Sequence, residues 1–392
     1  MSTAVKAHGL DGVLVEPDWA PLDLHEVRAL LSRFPECGEP IEILSASPRP
    51  FSAASVVATE TGPVFIKRQH RNVRDREGLL EEHRFLDYLR AHGAAVPLVL
   101  RNALGETAIE IGEWTYEVHE APLGLDLYAD ALSWTPFRTL AHARCAGQAL
   151  AQLHLAAEGF DAPRRKARPL VASFTIFAAE TPEAELKRYL AARPVLAEHA
   201  AVRAHAEEAI ELLAQFHAEL RPLLPALRPL WTHNDLHASN LLWSDAELGA
   251  QAAAVIDFGL CDRTNAVHDL AHAIERNIVE WLVLAADPAD LDNVPVHLDH
   301  LFSFLDGYES QRVLSDDEAS ALAPMAALCH AEFALSEADY FLGVLGSERS
   351  AAMAYDGWLV GHARWFRSAA GQRLLDALRN WAAGRRLTRS ES

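Results

Sequence analysis

Cysteine is scarce in this sequence. The 392 residues include four, Cys37, Cys145, Cys261 and Cys329, and no two of them form a C-x-x-C pair. A disulfide framework needs cysteines at paired spacings, and a zinc-finger type of site needs C-x-x-C pairs. The sequence therefore predicts neither, and a reducing compartment, the cytoplasm, is expected.

Long apolar runs and a surplus of basic charge are also missing. The sequence has no run of eighteen apolar residues, and its N-terminus lacks the basic start and apolar stretch of a secretory signal. The formal net charge is -20, whereas affinity for nucleic acid comes largely from lysine and arginine. We therefore expect no membrane or nucleic-acid partner, and a neutral or cationic small molecule instead.

The sequence has enough hydrophobic residues to form two lobes, since they make up 50% of its 392 residues. Between about 41 and 119, short strand-like runs alternate with turn signals, and one helical period covers 77–93. Beyond 120, alanine- and leucine-rich segments predict helices at 136–158, 183–218, 265–284 and 317–345. This order predicts an α+β fold with a small antiparallel-sheet lobe followed by a large helical lobe.

The segment 233–240, HNDLHASN, concentrates polar side chains between apolar flanks. Asp235 and Asn240 stand five positions apart, which is the D-x-x-x-x-N spacing of phosphotransferase catalytic loops. An aspartate there accepts the proton of an attacking hydroxyl, and the amide oxygen downstream can hold Mg²⁺ against phosphates. Alone the motif is weak, because polar side chains often do no more than satisfy a loop.

A second polar element follows an apolar strand. The run AAVI leads directly into Asp257-Phe258-Gly259, seventeen residues after Asn240. A carboxylate at the end of a buried strand is costly unless a cation meets it. We therefore predict that Asn240 and Asp257 converge on one metal ion.

The sheet-rich part adds a lysine and a glutamate. Lys67 lies on a predicted strand, and Glu77, Glu81 and Glu82 lie on the helix that follows. A strand lysine paired with a helix glutamate grips the α- and β-phosphates of a nucleotide in protein kinases. The alternative for each of these side chains is a solvated face.

Together these residues resemble the aminoglycoside phosphotransferase and choline kinase group, the small-molecule relatives of protein kinases, over residues 40–365. The resemblance implies a protein-kinase-like fold and transfer of the γ-phosphoryl group of ATP, or alternatively GTP, to a hydroxyl of a small molecule, with Mg²⁺ as cofactor. It implies that Asp235 is the catalytic base and that His233 orders its loop. Asn240 and Asp257 are then the magnesium ligands.

The resemblance also assigns the nucleotide site. In the family the helix glutamate stands a short way before a Val-Pro pair, here Val96-Pro97, which selects Glu82. The segment from Glu120 to Pro122 falls where the family's hinge runs, so its backbone would meet adenine. Asp269 matches an aspartate that braces the catalytic loops.

Three positions depart from the family pattern. Residues 39–61 contain no glycine, so a glycine-rich phosphate loop is absent, and the hydroxyls of Ser52 and Ser55 are expected to replace it; the alternative is an ordinary hairpin turn. Position 234 is asparagine where many relatives have glycine. Asp257 is followed by Phe-Gly where many small-molecule members carry a second carboxylate.

These assignments divide the chain into four regions. We expect an N-terminal helical extension (1–39), a nucleotide-binding N-lobe (40–121), a helical catalytic and substrate lobe (122–370) and a basic C-terminal tail (371–392). The tail carries five arginines against two acids and is predicted to be a solvated helix end without a role.

The acceptor is predicted from a polar stripe in the segment HAEFALSEADYFLG. Glu332, Ser336 and Asp339 fall at i, i+4 and i+7 of an otherwise apolar helix. They are expected to bind a substrate ammonium group, with Trp281 or Tyr340 adding a cation–π contact. The acceptor would then be an amino alcohol, a hydroxy-amino acid or an aminoglycoside; the alternative for the stripe is a wet helix face.

Two other functions compete with a small-molecule kinase. An atypical protein kinase acting on serine or threonine would need an open groove, which a long helical insertion at 160–230 tends to close. A nucleotide-binding regulator without turnover is disfavoured because the residues needed for catalysis are all present, namely Lys67, Glu82, Asp235, Asn240 and Asp257.

Overall fold

The computed structural model describes residues 7–8, 14–15, 17–47, 49–121, 123–166, 169–286 and 288–390. They form a small lobe built on an antiparallel sheet and a large helical lobe, so the predicted two-lobed α+β architecture is confirmed. A cleft between the lobes is lined by residues of both.

The small lobe contains one five-stranded antiparallel sheet with the strand order β3-β4-β5-β7-β6. Its elements, in chain order, are β1 (Ala7–His8), β2 (Leu14–Val15), α1 (Leu24–Leu31), β3 (Pro40–Ala46), β4 (Ala53–Thr59), β5 (Gly62–His70), α2 (Arg76–Ala91), β6 (Ile109–Ile111) and β7 (Trp114–Glu120). The strands β1 and β2 pair only with each other. The sequence placed every strand of the larger sheet to within a few residues.

Strand β5 shows how the sheet presents two faces. Val64 and Ile66 are buried in a small apolar core with Val27 and Leu30 of α1. Successive strand residues point to opposite faces, so Lys67 faces the helical lobe, which it contacts. Helix α1 therefore covers one face of the sheet and leaves the other face to the cleft.

The large lobe is mostly helical. Its helices are α3 (Leu140–Ala157), α4 (Pro182–Ala191), α5 (Pro194–Glu198), α6 (Ala200–Leu220), α7 (Ala266–Ile278), α8 (Trp281–Ala286), α9 (Leu298–Glu309), α10 (Asp316–Leu328), α11 (His330–Tyr340), α12 (Glu348–Ala352), α13 (Gly361–Arg367) and α14 (Ala369–Ser390). Its strands form two antiparallel pairs, β8 (Pro229–Thr232) with β11 (Asp262–Asn265), and β9 (Leu241–Trp243) with β10 (Ala252–Val255).

The long predicted helices are interrupted. The segment predicted as one helix at 183–218 is three, α4 to α6: Pro194 begins α5, and His199 caps the start of α6 by accepting the Val202 N–H. Proline lacks the N–H of a continuing helix and restricts the residue before it, so it favours a new start. The segments predicted at 265–284 and 317–345 are likewise divided, at Val279 and at Cys329.

The basic tail is not a solvated helix end. Helix α14 begins at Ala369, before the predicted boundary, and Leu374, Leu375 and Leu378 are fully buried. Two of its arginines also have acidic partners on other helices: Arg379 pairs with Glu219 of α6 at 2.9 Å, and Arg385 pairs with Glu309 of α9 at 2.6 Å. The prediction counted charges, whereas the apolar positions on one face decide where this helix lies.

The four cysteines are buried and free, as expected from their spacing. Within the described ranges, no helix combines the length and the apolar character needed to cross a bilayer.

Candidate active site

Two strand pairs bring the predicted motifs together. The strand β8 leads into the HNDLHASN loop, and β10 leads into Asp257. The two loops are tied to each other, because the Ile256 N–H donates to the Asn240 carbonyl at 2.9 Å and His233 Nε2 donates to the Ile256 carbonyl at 2.9 Å. Asp235, Asn240 and Asp257, which the sequence predicted to converge, therefore line the same wall of the cleft.

Asp235 lies at the centre of this wall. Asn240 Nδ2 donates to the Asp235 carbonyl at 2.9 Å and to its carboxylate at 3.3 Å. The Asp235 N–H donates to His233 Nδ1 at 3.1 Å. The structure thus brings His233, Asp235 and Asn240 together as predicted.

The sequence did not reveal the cation beside Asp235. Arg276 of α7 donates to its carboxylate at 2.6 Å, and the Arg276 side chain is almost fully buried. Burial raises the pKa of Asp235, Arg276 and His233 oppose that rise, and the negative charge of Asp257 adds to it. An arginine in an apolar helix carries no motif, so its spacing from the loop gave no signal.

Asp269 of α7 braces the catalytic loop, in agreement with the prediction. Its carboxylate accepts the N–H groups of His233 at 2.9 Å and Asn234 at 2.8 Å, and a ring N–H of His154 at 3.0 Å. Asn234 has a φ of 62°. Asparagine tolerates this left-handed region better than other non-glycine residues, which explains how it replaces the glycine of many relatives.

Asp257 contacts the lysine of the sheet. Its carboxylate accepts a hydrogen bond from Lys67 Nζ at 2.8 Å and one from the Gly259 N–H at 3.3 Å. Burial alone would raise the pKa of Asp257, but the Lys67 ammonium and the Gly259 N–H lower it to about 2. An ionised carboxylate and an amide oxygen in the lining of one cleft are the kinds of ligand that Mg²⁺ takes, so Asp257 and Asn240 fit a magnesium ion.

The predicted Lys67–Glu82 ion pair is wrong. Glu82 accepts from two buried arginines instead, Arg74 at 2.8 Å and Arg165 at 2.6 Å. Both arginines also donate to the Gly259 carbonyl, at 2.5 and 3.0 Å respectively. Because two guanidinium groups already neutralise Glu82, Lys67 is left to pair with Asp257.

The loop between β3 and β4 places an arginine in the cleft. Arg49 lines the cleft, and its guanidinium donates to Ser133 Oγ at 2.8 Å. Burial lowers the pKa of Arg49, and the carboxylates of Asp126, Asp235 and Asp257 oppose that effect. The loop that lacks glycine therefore carries a cation close to both aspartates of the site.

The two predicted phosphate-loop serines differ in position. Ser52 lines the cleft. Ser55 is buried in β4 and pairs directly with Ile66, whose side chain lies in the core under α1. Directly paired residues of an antiparallel sheet share a face, so the prediction of Ser55 as a phosphate ligand is wrong.

The hinge assignment stays a prediction. Glu120 ends β7, and its N–H donates to the Leu98 carbonyl at 3.0 Å. The Ala121 N–H donates to the Pro63 carbonyl at 3.4 Å. Pro122 lies outside the described residues.

The polar stripe predicted to bind the acceptor makes contacts within the protein instead. Glu332 accepts the N–H groups of Thr175 and Ile176, the latter at 2.6 Å, and Ser336 Oγ accepts the Val171 N–H at 3.0 Å. These contacts anchor the 170–176 segment on α11. Asp339 likewise lies 3.7 Å from the guanidinium of Arg193. The prediction that this stripe binds substrate is therefore wrong.

Tyr340 and Trp281, the two aromatic residues predicted to contact the acceptor, also lie outside the cleft lining. The Tyr340 hydroxyl donates to Asp18 at 2.9 Å and accepts from Trp19 at 3.1 Å. Trp281 is fully buried and stacks on His362, with ring centroids 3.6 Å apart. Neither is among the residues that line the cleft.

The acidic side chain that α11 presents to the cleft is Glu337, which was not part of the predicted stripe. Glu337 is 1% exposed, and its Oε2 has no hydrogen-bond partner among the described residues. Burial, opposed by Arg276, raises the pKa of Glu337 to about 8. His237 also lines this part, and burial with Arg49 and Arg276 nearby holds its pKa well below the usual range. The apolar side chains around them are Phe51, Leu132, Trp134, Leu170, Leu260, Leu282 and Phe333.

A kinase-like two-lobed fold with these residues in its cleft defines a phosphotransferase that takes a hydroxyl group of a small molecule as acceptor. Residues 46–294 match the phosphotransferase enzyme family, APH, and the chain belongs to this family. No curated protein matches the sequence.

Solved structures agree on the fold. A microcompartment-associated aminopropanol kinase is 18% identical, with 89% of this chain and 99% of that chain covered and a TM-score of 0.55. An amicoumacin kinase in complex with AMP-PNP and Ca²⁺ is 14% identical, with coverages of 86% and 92% and a TM-score of 0.54. A spectinomycin phosphotransferase is 12% identical, with coverages of 90% and 100% and a TM-score of 0.51. The predicted protein-kinase-like fold is thereby confirmed.

Proposed function

We propose that this chain transfers the γ-phosphoryl group of ATP, with GTP as the alternative donor, to the hydroxyl of a small amine-bearing alcohol, and that Asp235 is the base. The observation that carries the proposal is the convergence of Asp235, Asn240, Asp257 and Lys67 on one cleft between the lobes. Phosphoryl transfer asks the protein mainly to position reactants and to balance charge.

The base is held in a defined orientation. Arg276 binds one carboxylate oxygen of Asp235 and Asn240 approaches the other. The acceptor hydroxyl would donate to this carboxylate and release its proton to it as the new bond forms. Arg276 counters part of the rise that burial causes in the pKa of Asp235, and so favours the ionised form that a base needs.

The donor side is cationic. Lys67 reaches the cleft from β5 and Arg49 from the loop before β4. Both would bind phosphate oxygens of the nucleotide, and Ser52 stands in the same loop as Arg49. When bound, Mg²⁺ would be held by Asn240 and Asp257 and would offset the negative charge of the phosphates. Asn240 commits its amide nitrogen to Asp235, which leaves its side-chain oxygen for this purpose.

The acceptor end is apolar with one acid. Glu337 is the buried carboxyl group with an unpartnered oxygen in this part of the cleft, and Trp134 and Phe333 line the same space. An acceptor ammonium group would bind Glu337, while its hydrocarbon part would pack against the aromatic rings. This replaces the predicted stripe of Glu332, Ser336 and Asp339 and keeps the predicted class of acceptor.

The test is a panel of acceptors with either nucleotide. Purified protein with Mg²⁺ and ATP or GTP is assayed for ADP or GDP release with amino alcohols, aminopropanol among them, hydroxy-amino acids, aminoglycosides and amine-free sugars and diols. The proposal expects acceptor-dependent release confined to amine-bearing alcohols, and a higher KM for those acceptors in Glu337→Gln. Release with amine-free alcohols only would refute the assigned acceptor class, and phosphorylation of a serine peptide instead would favour the protein-kinase alternative.

A further inference from the structure

Three buried side chains from three helices meet in the interior of the large lobe, away from the cleft lining. Glu275 lies on α7, His330 begins α11 and His362 lies on α13. They are 0%, 3% and 3% exposed. One ligand atom from each lies within 4.8 Å of the others.

The polar atoms of this cluster lack hydrogen bonds. Both carboxylate oxygens of Glu275 and both ring nitrogens of His330 and of His362 have no hydrogen-bond partner among the described residues. Buried polar groups are normally hydrogen-bonded, and a buried carboxylate is especially costly without such bonds. The contacts of Glu275 with the two imidazoles, at 3.3 and 3.5 Å, lack hydrogen-bond geometry. His272, one turn before Glu275 on α7, has both ring nitrogens in the same condition.

A second cluster of one glutamate and two histidines forms hydrogen bonds among its own members. In the small lobe, His83 and His119 approach one oxygen of Glu117 at 3.0 and 2.8 Å with hydrogen-bond geometry. His83 also bonds Thr107 at 2.8 Å. That cluster satisfies most of its own polar atoms, whereas the cluster at Glu275 does not.

The distances in the cluster at Glu275 fit coordination better than hydrogen bonding. Glu275 Oε1 lies 3.5 Å from His330 Nδ1 and 3.3 Å from His362 Nδ1. Zinc binds imidazole nitrogen and carboxylate oxygen at a little over 2 Å, so neighbouring ligand atoms of a tetrahedral site are about 3.4 Å apart. Both distances agree with that spacing.

We propose that Glu275, His330 and His362 bind a divalent transition metal, zinc in the first instance, with a water molecule as the fourth ligand. Two imidazoles with one carboxylate suit zinc, whereas the oxygen ligands at Asn240 and Asp257 suit magnesium. The metal would supply the partner that these buried atoms lack.

The surroundings support a structural role. Trp281 stacks on His362, and the edge of Trp358 meets the same ring at 5.3 Å. A metal here would join α7, α11 and α13 and fix the position of α7 beside the site. Arg276, which follows Glu275 directly, would then be held toward Asp235.

The test is the metal content of the intact protein. Protein purified from zinc-supplemented medium and dialysed against millimolar Mg²⁺ is analysed for metals by mass spectrometry. The proposal expects close to one zinc per chain. Chain produced with cobalt in place of zinc is expected to show the visible absorption of tetrahedral Co²⁺ with nitrogen and oxygen ligands.

Variants locate the metal. His330→Gln and His362→Gln are expected to lower the retained zinc at least tenfold and to remove the cobalt absorption, while the matched change His83→Gln leaves both unchanged. Zinc lost only in His83→Gln would place the metal in the other cluster and refute the proposal. Wild-type chain that takes up neither Zn²⁺ nor Co²⁺ would refute the proposal without reference to any variant.

Discussion

At the scale of single residues, Lys67 shows how a motif can be right while its partner is wrong. The strand lysine lies in the cleft as predicted, yet it pairs with Asp257 at 2.8 Å and not with Glu82. The family resemblance selected Glu82 as the partner of Lys67, but it carries no information on Arg74 and Arg165, which bind Glu82 instead. Partners that arrive from distant segments are what a single sequence does not provide.

Replacing Lys67 tests its role on the donor side. We expect Lys67→Ala to lower kcat/KM for the nucleotide by at least tenfold, because a phosphate contact is lost. The melting temperature should change little, since the side chain lines the cleft. The measurement is steady-state kinetics with Lys187→Ala, an exposed lysine of α4, as the control. Near-normal turnover of Lys67→Ala would show that the lysine does not bind phosphate.

Glu337 predicts a pH dependence for acceptor binding. The pKa of Glu337 is raised to about 8, so in the free enzyme this group is mostly neutral at pH 6 and mostly ionised at pH 9. An ammonium group binds the ionised form, so the acceptor KM should fall as pH rises toward 8, by up to about tenfold per pH unit well below the pKa.

Glu337→Gln should remove that dependence and leave a weak, nearly pH-independent KM. The measurement is acceptor KM from pH 6 to 9 for both proteins, with nucleotide KM as the internal control. A wild-type KM that stays flat over this range would contradict an ammonium contact at Glu337.

At the scale of elements, the hydrophobic periodicity predicted where helices occur. It did not predict where several of them end or which of their faces are buried. Helix α2 follows its predicted span closely, because its apolar face and its glycine stop are local signals. Helix α14 was misjudged because its five arginines dominate the composition of the tail, whereas three leucines on one face dominate the packing. The acceptor stripe failed for a related reason: polar residues on a helix were predicted to face ligand, but Glu332 and Ser336 satisfy the backbone of a neighbouring loop.

The packing of α14 can be measured. Leu375 is fully buried, so Leu375→Ala should lower the free energy of unfolding by about 2–5 kcal/mol through lost burial and a new cavity. Denaturant unfolding is compared with Leu248→Ala, whose leucine is 71% exposed and should cost little. A change at Leu375 as small as that at Leu248 would mean that the tail is detached in solution.

At the scale of the whole molecule, the two lobes, their order along the chain and the convergence of the loops that carry Asp235 and Asp257 followed from the sequence and the family resemblance. Three residues that complete the site belong to no sequence motif. Arg49 lies in the loop between β3 and β4, Arg276 lies on the buried helix α7, and Glu337 follows Ser336 of the predicted stripe. Folding brings each of these residues to the site from another part of the chain. Their roles could therefore not be predicted from the sequence alone.

Binding of nucleotide between the lobes should stabilise the whole chain. A ligand that binds only the folded state adds about 2.7 kcal/mol at a hundredfold excess over its Kd. We therefore expect Mg²⁺ with ATP or GTP at millimolar concentration to raise the melting temperature, and nucleotide with EDTA to raise it less. A melting temperature indifferent to both nucleotides would contradict a nucleotide site in this cleft.

The central claim is that Asp235 is the base while Asp257 belongs to the metal and nucleotide site, and a comparison of Asp235→Asn with Asp257→Asn tests it most directly. An amide nearly preserves the shape of the carboxylate but cannot accept the acceptor's proton, a loss worth on the order of a hundred to ten thousand fold in rate. The account predicts that Asp235→Asn keeps the wild-type Kd for Mg-nucleotide and loses turnover by that order, whereas Asp257→Asn loses both. Retention of most activity by Asp235→Asn, or equal loss of nucleotide binding in the two variants, would contradict the separation of base and metal roles.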